Sequence, residues 1–265
     1  MKYLLFNSNA VIQAFIATLF TWFITTLGSS LVFCFKKVNK LILDIMLSMS
    51  AGVMISASFW SLLNPSLEMA LKLNMNPWFV TMIGFICGGL FLFFGDKVFD
   101  YYKSKNKLLT SNIKRSAMLL FSITLHNIPE GLAIGVAFGS ISYGFEGATI
   151  ISAWLIALGI GLQNFPEGSA ISLPLLRDGM SKKNAFLLGS VSGIVEPISG
   201  IIGALLVLKV RLLLPFLLSF AAGAMIYVVT KELIPESQEN EKKDLMALFS
   251  ILGFIVMMIL DVAFS

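Results

Sequence analysis

Charge and histidine are both scarce in this sequence. Only 13% of the residues are Asp, Glu, Lys or Arg, and His126 is the one histidine in 265 residues. So little charge excludes an ordinary water-soluble globular chain, in which roughly 25% of residues are charged. A lone histidine excludes two-histidine metalloenzyme motifs such as H-E-x-x-H, and it leaves no serine or cysteine nucleophile with a base of its own. The two cysteines, Cys34 and Cys87, fall in or at the ends of apolar runs and exclude a disulfide framework; they read as small buried apolar residues. Strand patterns of alternating polarity and histidine-rich or low-complexity tracts are also missing.

What fills the sequence instead is apolar: 57% of it is hydrophobic. Runs of roughly 17 to 25 such residues, the length that crosses a hydrocarbon core of about 30 Å, recur throughout. They predict eight spans, at 9–35, 41–63, 78–95, 116–139, 147–176, 184–208, 212–230 and 245–264. In lipid a span without a closed barrel must be a helix, because only a helix satisfies its own backbone. The expectation is an all-α polytopic membrane protein forming one transmembrane domain over 1–265, its first span a true crossing and not a cleaved signal.

The net charge of +4 does not imply a nucleic-acid partner, because the basic residues follow the membrane. With the N-terminus outside, 15 of the 19 fall on inner loops and only Lys2, Lys72, Lys209 and Arg211 lie outside. That asymmetry is what the positive-inside rule requires, and it places both termini on the outer side of a cell membrane. Trp78, Tyr101 and Tyr102 lie near span ends, where aromatic side chains anchor to the interface. The longest polar connector, 99–115, reads as an inner loop close to anionic lipid.

Two internal echoes organise the chain. H/Q-N-x-P-E-G occurs at 126–131 and again at 163–168, in the fourth and fifth spans. AGVMI at 51–55 and AGAMI at 222–226 open similar stretches in the second and seventh, followed by Pro65 and Pro235. Those two spans run in opposite directions, as the halves of an inverted repeat would. The expected arrangement is 3+2+3, with spans 1–3 and 6–8 flanking a central pair.

The central pair carries the chemistry. On a helix, residues four apart share a face, so His126 with Glu130, and Gln163 with Glu167, can each grip one ion. Asn127 and Asn164 lie three residues before the same glutamates, so each glutamate also borders a second position. Pro129 and Pro166 donate no N–H, which frees the carbonyls of Leu125 and Leu162. Gly131 and Gly168 let the helices approach closely. Ionisable groups at membrane depth cost at least about 2.5 to 3.5 kcal/mol each, and the sequence places Glu130, Glu167 and Glu196 there, which marks an ion pathway. Imidazole, carboxylate and amide oxygen without thiolate suit zinc, iron(II) or manganese(II).

With eight spans and HNIPEG and QNFPEG in the fourth and fifth, the chain resembles the ZIP (Zrt/Irt-like) divalent metal transporters, and GIGLQNFPEGSAISLPL is most similar to their bacterial GufA-like branch. The resemblance implies an importer that moves zinc, iron, manganese or cadmium toward the cytoplasm without a prosthetic group, and it leaves room for a homodimer. It implies a primary metal site of His126, Glu130, Gln163 and Glu167, with Met54 as a further candidate. It implies a neighbouring site of Asn127, Asn164 and Glu196 that shares the two glutamates, and an exit relay through Glu232. Gln163 stands where many members have histidine, Asn164 where some of the branch have an acid, and Lys231 where histidine is expected. The competing readings are an intramembrane metal hydrolase, which lacks a second histidine, and a proton-coupled carrier of an organic solute, which lacks an arginine in mid-span.

Overall fold

The computed structural model of the chain describes residues 9–34, 39–105, 111–142, 144, 148–239 and 241–264; these are helical apart from turns, with no strand among them. In chain order the helices are α1 (Ala10–Ser30), α2 (Lys40–Ala57), α3 (Asn64–Lys72), α4 (Pro77–Lys105), α5 (Ser111–Ser142), α6 (Ile150–Arg177), α7 (Lys182–Ser192), α8 (Val195–Leu205), α9 (Val207–Val228), α10 (Ile234–Ser237) and α11 (Lys243–Phe264). Side-chain caps start several of them. Asn9 accepts from the Val11 amide and Asn39 from the Leu41 amide, while Thr149 and Ser152 cap α6 reciprocally. The turn after α6 uses Gly179 at φ 95°, where a side chain would be strained.

Among the described residues, six stretches are long and apolar enough to cross a membrane: Ala10–Phe33, Lys40–Lys72, Pro77–Val98, Lys182–Leu205, Lys209–Ser237 and Lys243–Ala263. The two remaining long helices, α5 and α6, hold the polar motifs.

The predicted spans and the observed helices differ in four places. The second and seventh run on past their predicted ends, because a π-helical segment joins α2 to α3 (Ser58–Leu63) and another joins α9 to α10 (Val229–Leu233). Each is followed by a proline, Pro65 or Pro235, and the wider turn absorbs the hydrogen bond which proline cannot donate. The sixth span is broken at Gly193 and Ile194, between α7 and α8. The connector at 99–115 is helical up to Lys105 and again from Ser111; its polar residues leave no apolar period from which a helix could be read. Residues 106–110 lie outside the described residues, as do Lys2, Lys36, Lys37 and Lys107 of the charge count. Cys34 is exposed rather than buried, because it follows the last turn after α1, and Cys87 is half-buried.

Packing divides the helices into two groups. α1 lies against α6 and α8, and α5 against α8; separately, α2 lies against α11 and α4 against α9. Contact between the groups runs through α5 on α9 and α6 on α2. Glycines make the crossings close: a Cβ on Gly52 would overlap the Ser250 carbonyl, and one on Gly223 would overlap that of Phe85. The main apolar cluster, including Leu43, Leu47, Met54, Leu92, Met225 and Val229, fills the interior, while α4 and α11 turn large apolar side chains such as Trp78, Phe94, Leu248 and Ile259 outward.

Candidate metal site

α5 and α6 pass through Pro129 and Pro166 without breaking, and the two proline motifs face each other in the interior. His126 is 2% exposed, and Asn127, Glu130, Gln163, Asn164, Glu167 and Glu196 are fully buried. Close approach is provided by Gly131, where a Cβ would meet the backbone of Glu196, and by Gly168, where it would overlap the Thr25 carbonyl.

The first group forms around His126. Its Nε2 lies 3.0 Å from Glu130 Oε1 and 3.4 Å from Glu167 Oε1, so one imidazole sits between carboxylates from two helices. At the shorter distance the atoms are not aligned as a hydrogen bond, and both ring nitrogens are without a hydrogen-bond partner among the described residues. One ligand atom from each of His126, Glu130 and Glu167 falls within 4.8 Å of the others, close enough to share an ion. Gln163 completes this group by donating from Nε2 to Glu130 Oε1.

The second group forms around Glu196. The break before α8 puts this residue in the first turn of that helix, where the backbone dipole favours a carboxylate. Asn164 Nδ2 donates to both of its oxygens, at 2.9 and 3.0 Å, and Thr21 Oγ1 of α1 donates to Oε2. Asn127 is oriented separately, its Nδ2 donating to the Ser192 carbonyl at 3.2 Å.

All three amides are therefore turned the same way, with the NH2 group engaged and the oxygen open. Gln163 Oε1, Asn127 Oδ1 and Asn164 Oδ1 have no hydrogen-bond partner among the described residues, and neither do Glu130 Oε2 and both oxygens of Glu167. An unsatisfied buried polar atom costs about 1 to 3 kcal/mol, more if charged, so a folded chain does not gather this many without a ligand to take them. One nitrogen and several oxygens, two carboxylates among them, form a donor set that suits a divalent cation by charge and chemistry.

Of the remaining expected residues, Met54 is buried in the main apolar cluster, as a packing methionine would be. Glu232 lies half-buried in the Val229–Leu233 segment, 4.0 Å from Lys231 Nζ, and Lys231 itself pairs with Asp96 of α4. The reading of the sequence missed Thr21. Thr18, Thr21, Thr25 and Ser29 recur at helical spacing along α1 and are all buried, a polar stripe that signals a packed face. It also missed Arg177, which pairs with Asp178 and with Glu236 of α10.

Known proteins place this arrangement in a family. The family model described as ZIP Zinc transporter matches residues 103–261. The chain is 35% identical to Zinc transporter ZIP11 of Homo sapiens, over 96% of this chain and 98% of that one. It is 31% identical to Zinc transporter ZupT of Clostridium perfringens, over 95% of each. It is 34% identical to Zinc transporter GufA of Myxococcus xanthus, over 68% of this chain and 69% of the other. With the paired proline motifs buried face to face and the likeness running nearly end to end, the chain belongs to the ZIP zinc transporter family.

Proposed function

We propose that this protein carries divalent metal cations, zinc first among them, across a cell membrane toward the cytoplasm through a site between α5 and α6. The observation that carries the reading is the gathering of open lone pairs on His126, Glu130, Glu167 and three amide oxygens in the buried interior. Glu130 and Glu167 supply two negative charges against the ion's two positive ones, and that balance lets a cation rest away from water. Gln163 in place of an imidazole makes the donor set oxygen-rich, so iron(II), manganese(II) and cadmium are the natural competitors of zinc.

The arrangement read for the membrane is eight crossings in a 3+2+3 order, with α5 and α6 as the central pair and both termini outside. The echo of the two halves supports it. AGVMI and AGAMI each lead into a π-helical segment and then a proline, and the glycine of each packs on a carbonyl of the third helix of the opposite half, Ser250 or Phe85. A carrier built in this way alternates access by moving one group of helices against the other. The group α1, α5, α6 and α8 holds every proposed ligand except Met54, and it is the group read as moving.

The test is uptake into liposomes holding the purified protein, run with zinc, cadmium, iron(II) and manganese(II). Saturable uptake of at least one of them that disappears in Glu130→Ala is expected. Uptake of none, or uptake indifferent to that substitution, would overturn the proposal.

A further inference from the structure

The three buried glutamates are not alike. Glu167 has both oxygens open and Glu130 has one, whereas Glu196 has neither. Asn164 occupies both oxygens of Glu196 and Thr21 adds a donor to Oε2. Glu196 is also absent from the group whose ligand atoms converge, which is His126, Glu130 and Glu167. Its surroundings are closed: a Cβ added at Gly193 would lie 3.1 Å from Glu196 Oε1 and 3.2 Å from Thr25 Oγ1.

We propose that Asn164 and Thr21 hold the Glu196 carboxylate in place and keep it from acting as a ligand, so that the protein binds one divalent ion per chain, with Asn164 and Thr21 as the positioning residues. This rests on the metal site proposed above and goes beyond it. Asn164 Nδ2 stands 2.9 and 3.0 Å from the two carboxylate oxygens, where a chelated cation would sit, so Glu196 could chelate a cation there only after that amide turned away. Held in this way, Glu196 in turn fixes the amide of Asn164 with its oxygen open. It also ties three helices together, because its donors come from α1 and α6 while its own backbone belongs to α8.

The experiment counts ions. Purified protein in detergent is dialysed to equilibrium against zinc, or separately cadmium, and metal per chain is measured by mass spectrometry. One tightly held ion is expected in the parent and in Thr21→Ser, which keeps the hydroxyl. Replacing the donors together, Thr21→Val with Asn164→Asp, opens Glu196 and adds a negative charge, so a second ion is expected to bind at least tenfold more tightly than any second ion in the parent. Glu196→Gln should retain its one ion. Two equally tight ions in the parent, loss of all bound metal in Glu196→Gln, or no tighter second ion in the double variant would each overturn the inference. If the double variant does not fold, Asn164→Asp alone carries the same expectation. Glu130→Gln reports separately on the cage: an ion retained there would overturn the site itself, while an ion lost there and kept in Glu196→Gln supports both readings.

Discussion

Asp96 of α4 and Asp261 of α11 stand in equivalent places. Each lies eight residues beyond a glycine at a close helix crossing, Gly88 or Gly253, and each reaches into a π-helical segment. Asp96 pairs with Lys231 in Val229–Leu233, and Asp261 Oδ1 accepts from Ser61 Oγ in Ser58–Leu63 at 2.8 Å. The wider turns are thus each held from the side by an aspartate. Lys231 is 36% exposed, so its pair is screened and worth about 1 kcal/mol. Asp96→Asn and Lys231→Gln should each lower the thermal midpoint in detergent by a few degrees. The exchanged pair, Asp96→Lys with Lys231→Asp, should recover most of that loss. An exchange no better than the single variants would show that the two charges do not act together.

Glu130→Ala and Glu167→Ala each remove open carboxylate oxygens and unbalance the charge on a bound ion. Uptake should fall to that of protein-free liposomes, more than tenfold, with expression and membrane insertion unchanged. Parental uptake by either inserted variant would remove that glutamate from the cage.

Arg177 joins the end of α6 to Glu236 of α10, and so one helix group to the other. The Glu236 carboxylate is only 3% exposed and Arg177 28%, so breaking the pair takes an ionic partner from a buried carboxylate. Removing a buried ionic partner costs roughly 3 to 5 kcal/mol, and the exposure of Arg177 brings the expectation for Arg177→Gln to about 2 kcal/mol. Chemical unfolding followed by tryptophan fluorescence measures it. An unchanged midpoint would mean that the contact carries no stability.

Gly52 and Gly159 predict opposite outcomes for the same change. A Cβ at Gly52 overlaps the Ser250 carbonyl, whereas at Gly159, within α6, nothing lies within 4 Å. Gly52→Ala should destabilise by about 1 to 3 kcal/mol through overpacking. Gly159→Ala should be neutral or stabilise by up to about 1 kcal/mol through helix propensity. Melting curves of the two variants side by side decide the matter.

The parts of this protein that were legible in the sequence are those whose signal is local. Hydrophobic length marked the helices, and i, i+4 spacing placed His126 by Glu130 and Gln163 by Glu167. The repeated alanine–glycine–methionine stretches announced the paired π-helical segments without saying what they were. What stayed hidden depends on distant neighbours or on small backbone choices. Nothing near Thr21 says that its hydroxyl reaches Glu196, because threonines in apolar helices usually bond to their own backbone, as Thr18 does to Ala14. The break at Gly193 is not announced by its sequence, since a single glycine serves a crossing as readily as a turn. Lys231 stands where histidine is expected, and its partner Asp96 lies far away in the sequence.

The two π-helical segments also bear on the history of the chain. Such a turn holds one residue more than the α-turn it replaces, so a helix acquires it by gaining a residue while keeping its ends in place. Both segments begin seven residues after the opening alanine, Ala51 or Ala222, and in both the proline stands two residues past the last widened residue. The first segment has six residues and the second five, which accounts for the one-residue difference in where Pro65 and Pro235 fall. On the repeat proposed here, the two halves share a widened turn at the same distance from the opening alanine and differ by one residue in its length.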